Sequence, residues 1–304
     1  MRVLFIFLDG IGLGENNPET NPLARANMPN LGRLLDGRSL LKEAVPYHGE
    51  YASLLAVDPG VGVSGLPQSA TGQAILLTGK NIPAELGYHY GPKPNREVAA
   101  YLNDGTLFSD FMKAGKKTTL LNAYPPRYFD GVDSGKRLYS SIPLAVTNAG
   151  IPLFRHDDLF AGRALSADFT GEGWRTMLGF IDAPVMDPHQ AGRKLGSLAM
   201  EYDFSLFEYW ASDYAGHKQE METAVQLMAT FDGVLGGLVE SWEDGLILVT
   251  SDHGNMEDLS TRRHTDADVP ALVIGERTAR EEFTHGMKDL TDIAPAIRKS
   301  VLEK

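Results

Sequence analysis

Asp252 and His253 stand side by side after the apolar run Leu246 to Thr250 and before Gly254-Asn255. A carboxylate oxygen and an imidazole nitrogen are ligand types that divalent metal ions take. Asp-His-Gly is also ordinary turn chemistry, so the pair carries little weight alone. It gains weight because the same residue types recur at comparable places. Asp213 and His217 are four residues apart, a spacing that lets two side chains converge on one ion. Asp9 follows the apolar run Val3 to Leu8, and His264 lies in the polar loop Arg263 to Asp266. Three Asp and three His are the number wanted by two divalent ions about 4 Å apart. Two hydroxyls join the list. Ser69 and Thr71, in Gln68 to Gln73, fall where a helix N-cap would sit. Capping alone would account for them. The alternative is a nucleophile at a helix N-terminus, where backbone amides and the helix dipole favour a phosphate. Its alkoxide needs a lowered pKa, which a bound metal can supply.

These side chains need a scaffold that brings strand ends together. Val3 to Leu8 and Leu246 to Thr250 are short, mostly apolar runs, the mark of strands buried on both faces of a parallel sheet. In open α/β sheets, sites lie outside the carboxyl ends of the strands. Asp9-Gly10-Ile11-Gly12-Leu13-Gly14 has its third glycine misplaced for a dinucleotide loop, and Asp9 would face a pyrophosphate. Further strands are expected at Thr118 to Ala123, Phe204 to Trp210 and Val269 to Ile274. Helices are expected from Pro29, over Ala74 to Leu77, and at Leu107 to Gly115, Ala191 to Tyr202, Lys218 to Val239 and Asp289 to Leu302. The β-α-β rhythm implies a mostly parallel central sheet flanked by helices on both faces. The stretch from Tyr124 to about Pro188 is less regular, with Arg127, Arg137, Arg155, Arg163 and Arg175 scattered through it. It reads as a small irregular lid insertion (about 124–188) in a single domain, residues 1–304. Some of these arginines are candidates for a substrate anion, although solvated surface arginines are the plainer reading. The other histidines, His48, His89, His156, His189 and His285, have no motif around them.

With 28 Lys+Arg against 40 Asp+Glu the net charge is −12 over 304 residues, which argues against nucleic acid as a partner. It does not exclude a small phosphorylated substrate, because a metal can supply local positive charge. There is no Cys, hence no disulfide, thiol nucleophile or Cys-metal site. The apolar run after Met1-Arg2 is too short for a signal sequence and no segment reads as a membrane span, so a cytoplasmic protein is expected.

Taken together, Asp213-x-x-x-His217, Asp252-His253-Gly254-Asn255 and His264-Thr265 resemble the metal motifs of the alkaline phosphatase superfamily. They are most similar to its branch of cofactor-independent phosphoglycerate mutases and phosphopentomutases. FLDGIG at Phe7 to Gly12 resembles that branch's opening strand, QSATGQ at Gln68 to Gln73 its nucleophile loop, and ANMPNLGRLL at Ala26 to Leu35 is also similar. The resemblance implies an alkaline-phosphatase-like α/β fold. It implies that Asp9, Ser69, Asp252 and His253 hold one metal ion and Asp213, His217 and His264 a second, either manganese or zinc. It also implies in-line attack by Ser69 on phosphorus and a phosphoserine intermediate.

Two departures bear on the reaction. Gln73 stands where the mutases resembled here usually carry a His, which keeps Thr71 as a rival nucleophile. The interval between the nucleophile loop and Asp213 also leaves little room for a full cap domain, and a mutase needs one to retain its intermediate. The expectation is therefore a two-metal hydrolase of phosphate esters. The alternatives are a phosphomutase with a reduced cap and, from another class, a catalytically inactive metal-binding protein.

Overall fold

The computed structural model describes residues 1–303. Its centre is a seven-stranded sheet in the order β2-β3-β9-β8-β1-β7-β4. These strands are β1 (Val3–Leu8), β2 (Tyr47–His48), β3 (Ala52–Val57), β4 (Thr118–Leu120), β7 (Phe204–Tyr209), β8 (Leu246–Thr250) and β9 (Val269–Ile274); β5 (Ala123–Tyr124) and β6 (Phe154–Arg155) form a separate pair. The α/β class and the expected strands at β1, β7, β8 and β9 are present. The sheet is mixed: β8, β1, β7 and β4 are parallel, whereas β9 is antiparallel to β8 and β3 antiparallel to β9. Because β3 reverses β9, it runs in the same direction as β8, and its end lies at the same edge.

The apolar runs are continuous because both faces of the sheet are covered. Every residue of β1 is buried; Val3, Phe5 and Phe7 enter one core, and Leu4, Ile6 and Leu8 the other. The first core takes the helices Ser69–Thr78, Leu107–Lys113 and Ile293–Leu302, and the second takes Pro188–Ala199 and Met221–Ser241. This three-layer arrangement holds the strand ends level. Phe7 is paired with Thr250 of β8, and Leu8 with Tyr209 of β7, so the chain leaves all three strands at one height.

Two expectations are corrected, and two strands were not foreseen. Thr118 to Ala123 is not one strand, because the chain leaves the main sheet after Leu120 and Ala123 enters the β5–β6 pair. The long helix does not begin at Lys218. Asp213 and His217 have their own helix, Ala211–Lys218, which stops at Gln219 in the left-handed region (φ 56°) before Met221–Ser241 begins. The unforeseen strands are β2 and β3: β2 is only two residues long, and the run Ala52–Val57 lies between polar loops that carry no candidate ligand.

The interval expected as a lid divides in two. Residues from Tyr124 to Leu153 contribute Tyr124, Tyr128, Phe129, Ile142, Ala145 and Val146 to the first core. In the remainder, Leu159, Ala164, Trp174 and Ala183 form a small cluster with Ala123, while Leu165 and Phe169 enter the second core. Four of the interval's five arginines are engaged locally: Arg163 pairs with Asp158 at 2.7 Å, Arg175 donates to the Ala183 carbonyl at 2.7 Å, and Arg137 and Arg155 lie over the rings of Tyr128 and Phe129; Arg127 is the fifth. Among the described residues, no helix is long and apolar enough to cross a membrane.

Candidate metal and phosphoryl-transfer site

Four stretches meet at the carboxyl end of the central strands. Asp9 follows β1, and its amide donates to the Tyr209 carbonyl at 3.0 Å. Asp213 and His217 project from the helix after β7, and Asp252-His253 follow β8. His264 arrives on the loop between β8 and β9, which an isolated bridge joins to the β8 loop at Gly254 and Thr265. The six side chains expected as ligands are brought together. His217 Nε2 lies 3.3 Å and His264 Nε2 3.7 Å from the carboxylate of Asp213. His253 Nε2 lies 3.5 Å from Asp9 Oδ1 and 3.6 Å from Asp252 Oδ2. Asp213-His217-His264 and Asp9-Asp213-His253 each place one ligand atom per residue within 4.8 Å of the others.

The second nitrogen of each imidazole explains why this set fits a metal. The Nδ1 atoms of His217, His264 and His253 face the carbonyls of Arg262 (2.8 Å), Pro67 (2.8 Å) and Gly254 (3.3 Å). A carbonyl only accepts, so Nδ1 carries the proton and the Nε2 lone pair is left for the cluster. Asp9 Oδ1 is buried with no hydrogen-bond partner. No Lys or Arg among the described residues pairs with Asp9, Asp213 or Asp252. Burial, then the charges of Asp252, Asp213 and Glu208, hold the Asp9 carboxyl well above the usual range. Burial and the Asp213 charge push Asp252 up to about 8. Burial keeps His253 and His264 neutral, far below the ordinary imidazole value for His253. Clustered acids, neutral imidazoles and an orphaned carboxylate oxygen form a donor set that lacks only positive charge.

The two hydroxyls differ in their surroundings. Ser69 is the first residue of its helix; the cap position belongs to Gln68, which makes no side-chain cap. Neither hydroxyl is therefore the N-cap that the sequence suggested. Ser69 Oγ lies 3.1 Å from His253 Nε2, inside the cluster. Thr71 is fully buried; its Oγ1 donates to the Gln68 carbonyl at 3.1 Å and accepts from the Tyr90 amide at 3.2 Å. Gly72 lets this helix approach, since a Cβ there would stand 2.8 Å from the Asp252 carbonyl oxygen. Gln73 reaches Asp252 Oδ2 at 3.4 Å.

Sequence reasoning missed the residues that hold the loops. Glu257, 3% exposed, accepts from the amides of Gly12 (3.0 Å) and Asn255 (2.7 Å) and from the Thr265 hydroxyl. It thereby ties the Asp9, Asp252-His253 and His264 loops together. Asn255 donates to Asp213 Oδ1 at 2.6 Å. Ser251 Oγ accepts from the Ile11 amide at 2.9 Å, and Ser212 Oγ donates to the Asp9 carbonyl at 2.6 Å. Ser251, Asn255 and Glu257 adjoin the Asp-His pair, which was the only signal available.

Residues 181–302 match the Metalloenzyme superfamily. Over 105 residues the chain is 34% identical to a 2,3-bisphosphoglycerate-independent phosphoglycerate mutase of Desulforudis audaxviator, which covers 32% of this chain and 20% of that protein. A mutase of the same description from Antithamnion sp. is 23% identical over 208 residues, 63% of this chain and 40% of that one. The matches thus span a fifth to two fifths of those relatives' length. Among solved structures, a Pyrococcus horikoshii protein superposes with a TM-score of 0.57 at 15% identity, covering 100% of this chain and 97% of the other. Alkaline phosphatase from the Antarctic bacterium TAB5 gives 0.58 at 15% identity, over 99% and 98%. The chain is thus similar to the Metalloenzyme superfamily over residues 181–302, to alkaline phosphatase in fold, and to 2,3-bisphosphoglycerate-independent phosphoglycerate mutases over part of its sequence.

Proposed function

We propose that the protein is a metal-dependent hydrolase of small phosphate esters, working through a phosphoserine on Ser69. The observation that carries this reading is the Ser69 hydroxyl, 3.1 Å from His253 Nε2 within the Asp/His cluster, at the start of a ten-residue helix. Asp9, Asp252 and His253, with Ser69, would hold one divalent ion, and Asp213, His217 and His264 the other. Those ions, manganese or zinc, would supply the positive charge that makes the serine oxygen nucleophilic and offsets charge on the phosphoryl and leaving oxygens.

The chain's own groups do the rest. Ser69 Oγ attacks phosphorus as the bond to the leaving oxygen breaks; water then cleaves the phosphoserine and releases phosphate. The N-terminal amides and dipole of the Ser69 helix favour the phosphate charge. Glu257 and Asn255 keep the loops and Asp213 in place, so that geometry need not be assembled during the reaction.

The names of the sequence relatives favour a second reading, transfer of the phosphoryl group within one substrate. The product decides between the two. Manganese- and zinc-loaded protein would be assayed on a panel of phosphomonoesters and diesters for free phosphate and for isomerised product. Phosphate release that Ser69→Ala lowers at least about a thousandfold supports the hydrolase. Isomer without free phosphate supports the mutase. Thr71→Ala should keep activity within about tenfold, its loss being one buried hydroxyl that both donates and accepts, and roughly 1–3 kcal/mol of stability. A dead Thr71→Ala beside an active Ser69→Ala would reassign the nucleophile. Metal binding with no turnover on any ester would leave the inactive metal-binding protein.

A further inference from the structure

The helix Ala211–Lys218 shows three distinct faces. Ser212, Ala215 and Gly216 are buried, and Asp213 and His217 meet the other ligands. The third face carries Trp210 and Tyr214, which remain 51% and 59% exposed. Trp210 has helical backbone angles (φ −87°, ψ −10°), so the helix geometry extends to it. At about 100° per residue, the Trp210-Tyr214 row adjoins the Asp213-His217 row on the solvent side. The rise of about 1.5 Å per residue puts Trp210 and Asp213 roughly 4.5 Å apart along the axis.

Neither ring stacks on another ring among the described residues. Tyr214 has only Lys218 Nζ above it, 5.5 Å from its centroid. Two large amphipathic side chains left half exposed beside metal-type ligands are unused by the core.

We propose that Trp210 and Tyr214 form an aromatic platform at the mouth of the site, which takes a planar ring in the non-transferred part of the substrate. The substrate class is then a phosphate ester of a nucleoside or another aryl-bearing alcohol. This rests on the phosphoryl-transfer reading of the site but not on which hydroxyl attacks. The acidic surface does not oppose it, since a base offers an uncharged π-face. Stacking of a base on an aromatic side chain is strong enough to set a preference of tenfold or more.

Binding can be measured apart from turnover. Manganese-loaded Ser69→Ala protein would be titrated with adenosine monophosphate and with ribose phosphate, following tryptophan fluorescence. Of the three tryptophans, Trp174 is buried and Trp210 is among the exposed residues. The platform predicts quenching by adenosine monophosphate and affinity at least about tenfold above that for ribose phosphate. Tyr214→Ala should remove most of that preference and Tyr214→Phe should keep it. Equal affinity for the two ligands overturns the proposal, as does a preference that survives both Tyr214→Ala and Trp210→Ala. Quenching that follows protein concentration rather than nucleotide assigns the face to a second copy of the chain, and also overturns it. If the nucleotide preference holds while wild-type protein transfers no phosphoryl group, the platform stands and the Ser69 chemistry falls.

Discussion

At the scale of single residues, the site depends on groups that are small or fixed where general rules would choose otherwise. Gly72 lies inside the Ser69 helix, where glycine ordinarily costs about 1 kcal/mol relative to alanine. Here the position faces Asp252, whose Cβ and carbonyl oxygen would both stand 2.8 Å from an added Cβ. The usual sign should therefore reverse. Gly72→Ala is expected to lower the melting temperature and weaken metal binding, by displacing either the helix or the Asp252 loop. A variant more stable than wild type, with unchanged metal affinity by calorimetry, would show that the contact has slack. The imidazoles make a related point. Their Nε2 atoms serve the cluster only because backbone carbonyls take the other nitrogen; the Ser69 hydroxyl lies 3.1 Å from that of His253.

At the scale of elements, three loops from distant parts of the chain carry Asp9, Asp252-His253 and His264. Glu257 is the group they share. Gly12 and Gly254 approach its carboxylate so closely that a Cβ at either would lie 2.5 Å from it. Glu257→Gln keeps the shape but turns one acceptor oxygen into a donor that faces amides or a hydroxyl. Divalent-metal affinity should fall about 10–100-fold, the usual effect of losing a group that orients the ligands. The fold should persist with a loss of roughly 1–3 kcal/mol. Titration calorimetry with manganese, beside a thermal melt of the metal-free protein, separates the two effects. Unchanged affinity in a folded variant would mean that the loops hold their positions without it.

At the scale of the whole molecule, Glu208 links the middle of the chain to the central sheet. It is buried near the end of β7, accepts the Tyr124 hydroxyl, and exchanges backbone hydrogen bonds with the Asn122 side chain at 2.8 and 2.9 Å. Burial, partly countered by the Tyr124 hydroxyl, pushes its carboxyl up to about 7. Below the ordinary glutamate range both folded and unfolded chains hold the proton, and no penalty arises. As pH rises towards about 7 the unfolded chain releases it while the folded chain retains it, so stability falls; above that the penalty is constant. Glu208→Gln keeps the Tyr124 hydrogen bond and cannot titrate. In metal-free protein its melting temperature should decline less than that of wild type between about pH 5 and pH 8. The gap should approach roughly 3 kcal/mol in stability. If wild type instead gains on the variant over that range, Glu208 is ionised in the folded chain.

The division between what could be read and what had to be seen follows from the range of the interactions. Continuous apolar runs ending in Asp or in Asp-His are local patterns. They make β1, β8 and the α/β class legible, because a strand buried on both faces is mostly apolar; β9 is legible from its apolar run alone and β7 in spite of Ser205 and Glu208, and the candidate ligands from Asp and His recurring near such runs. The order of strands, the reversal at β9 and the short β2 and β3 depend on pairing between remote segments, which no local pattern records. The same holds within the site. Ser69 and Thr71 are two residues apart and chemically alike in sequence. The helix phase turns one towards His253, 184 positions away, and the other towards Gln68 and Tyr90. Nothing in the sequence singles out Glu257, because its role lies in the distance between Gly12, Asn255 and Thr265, which only the folded chain sets.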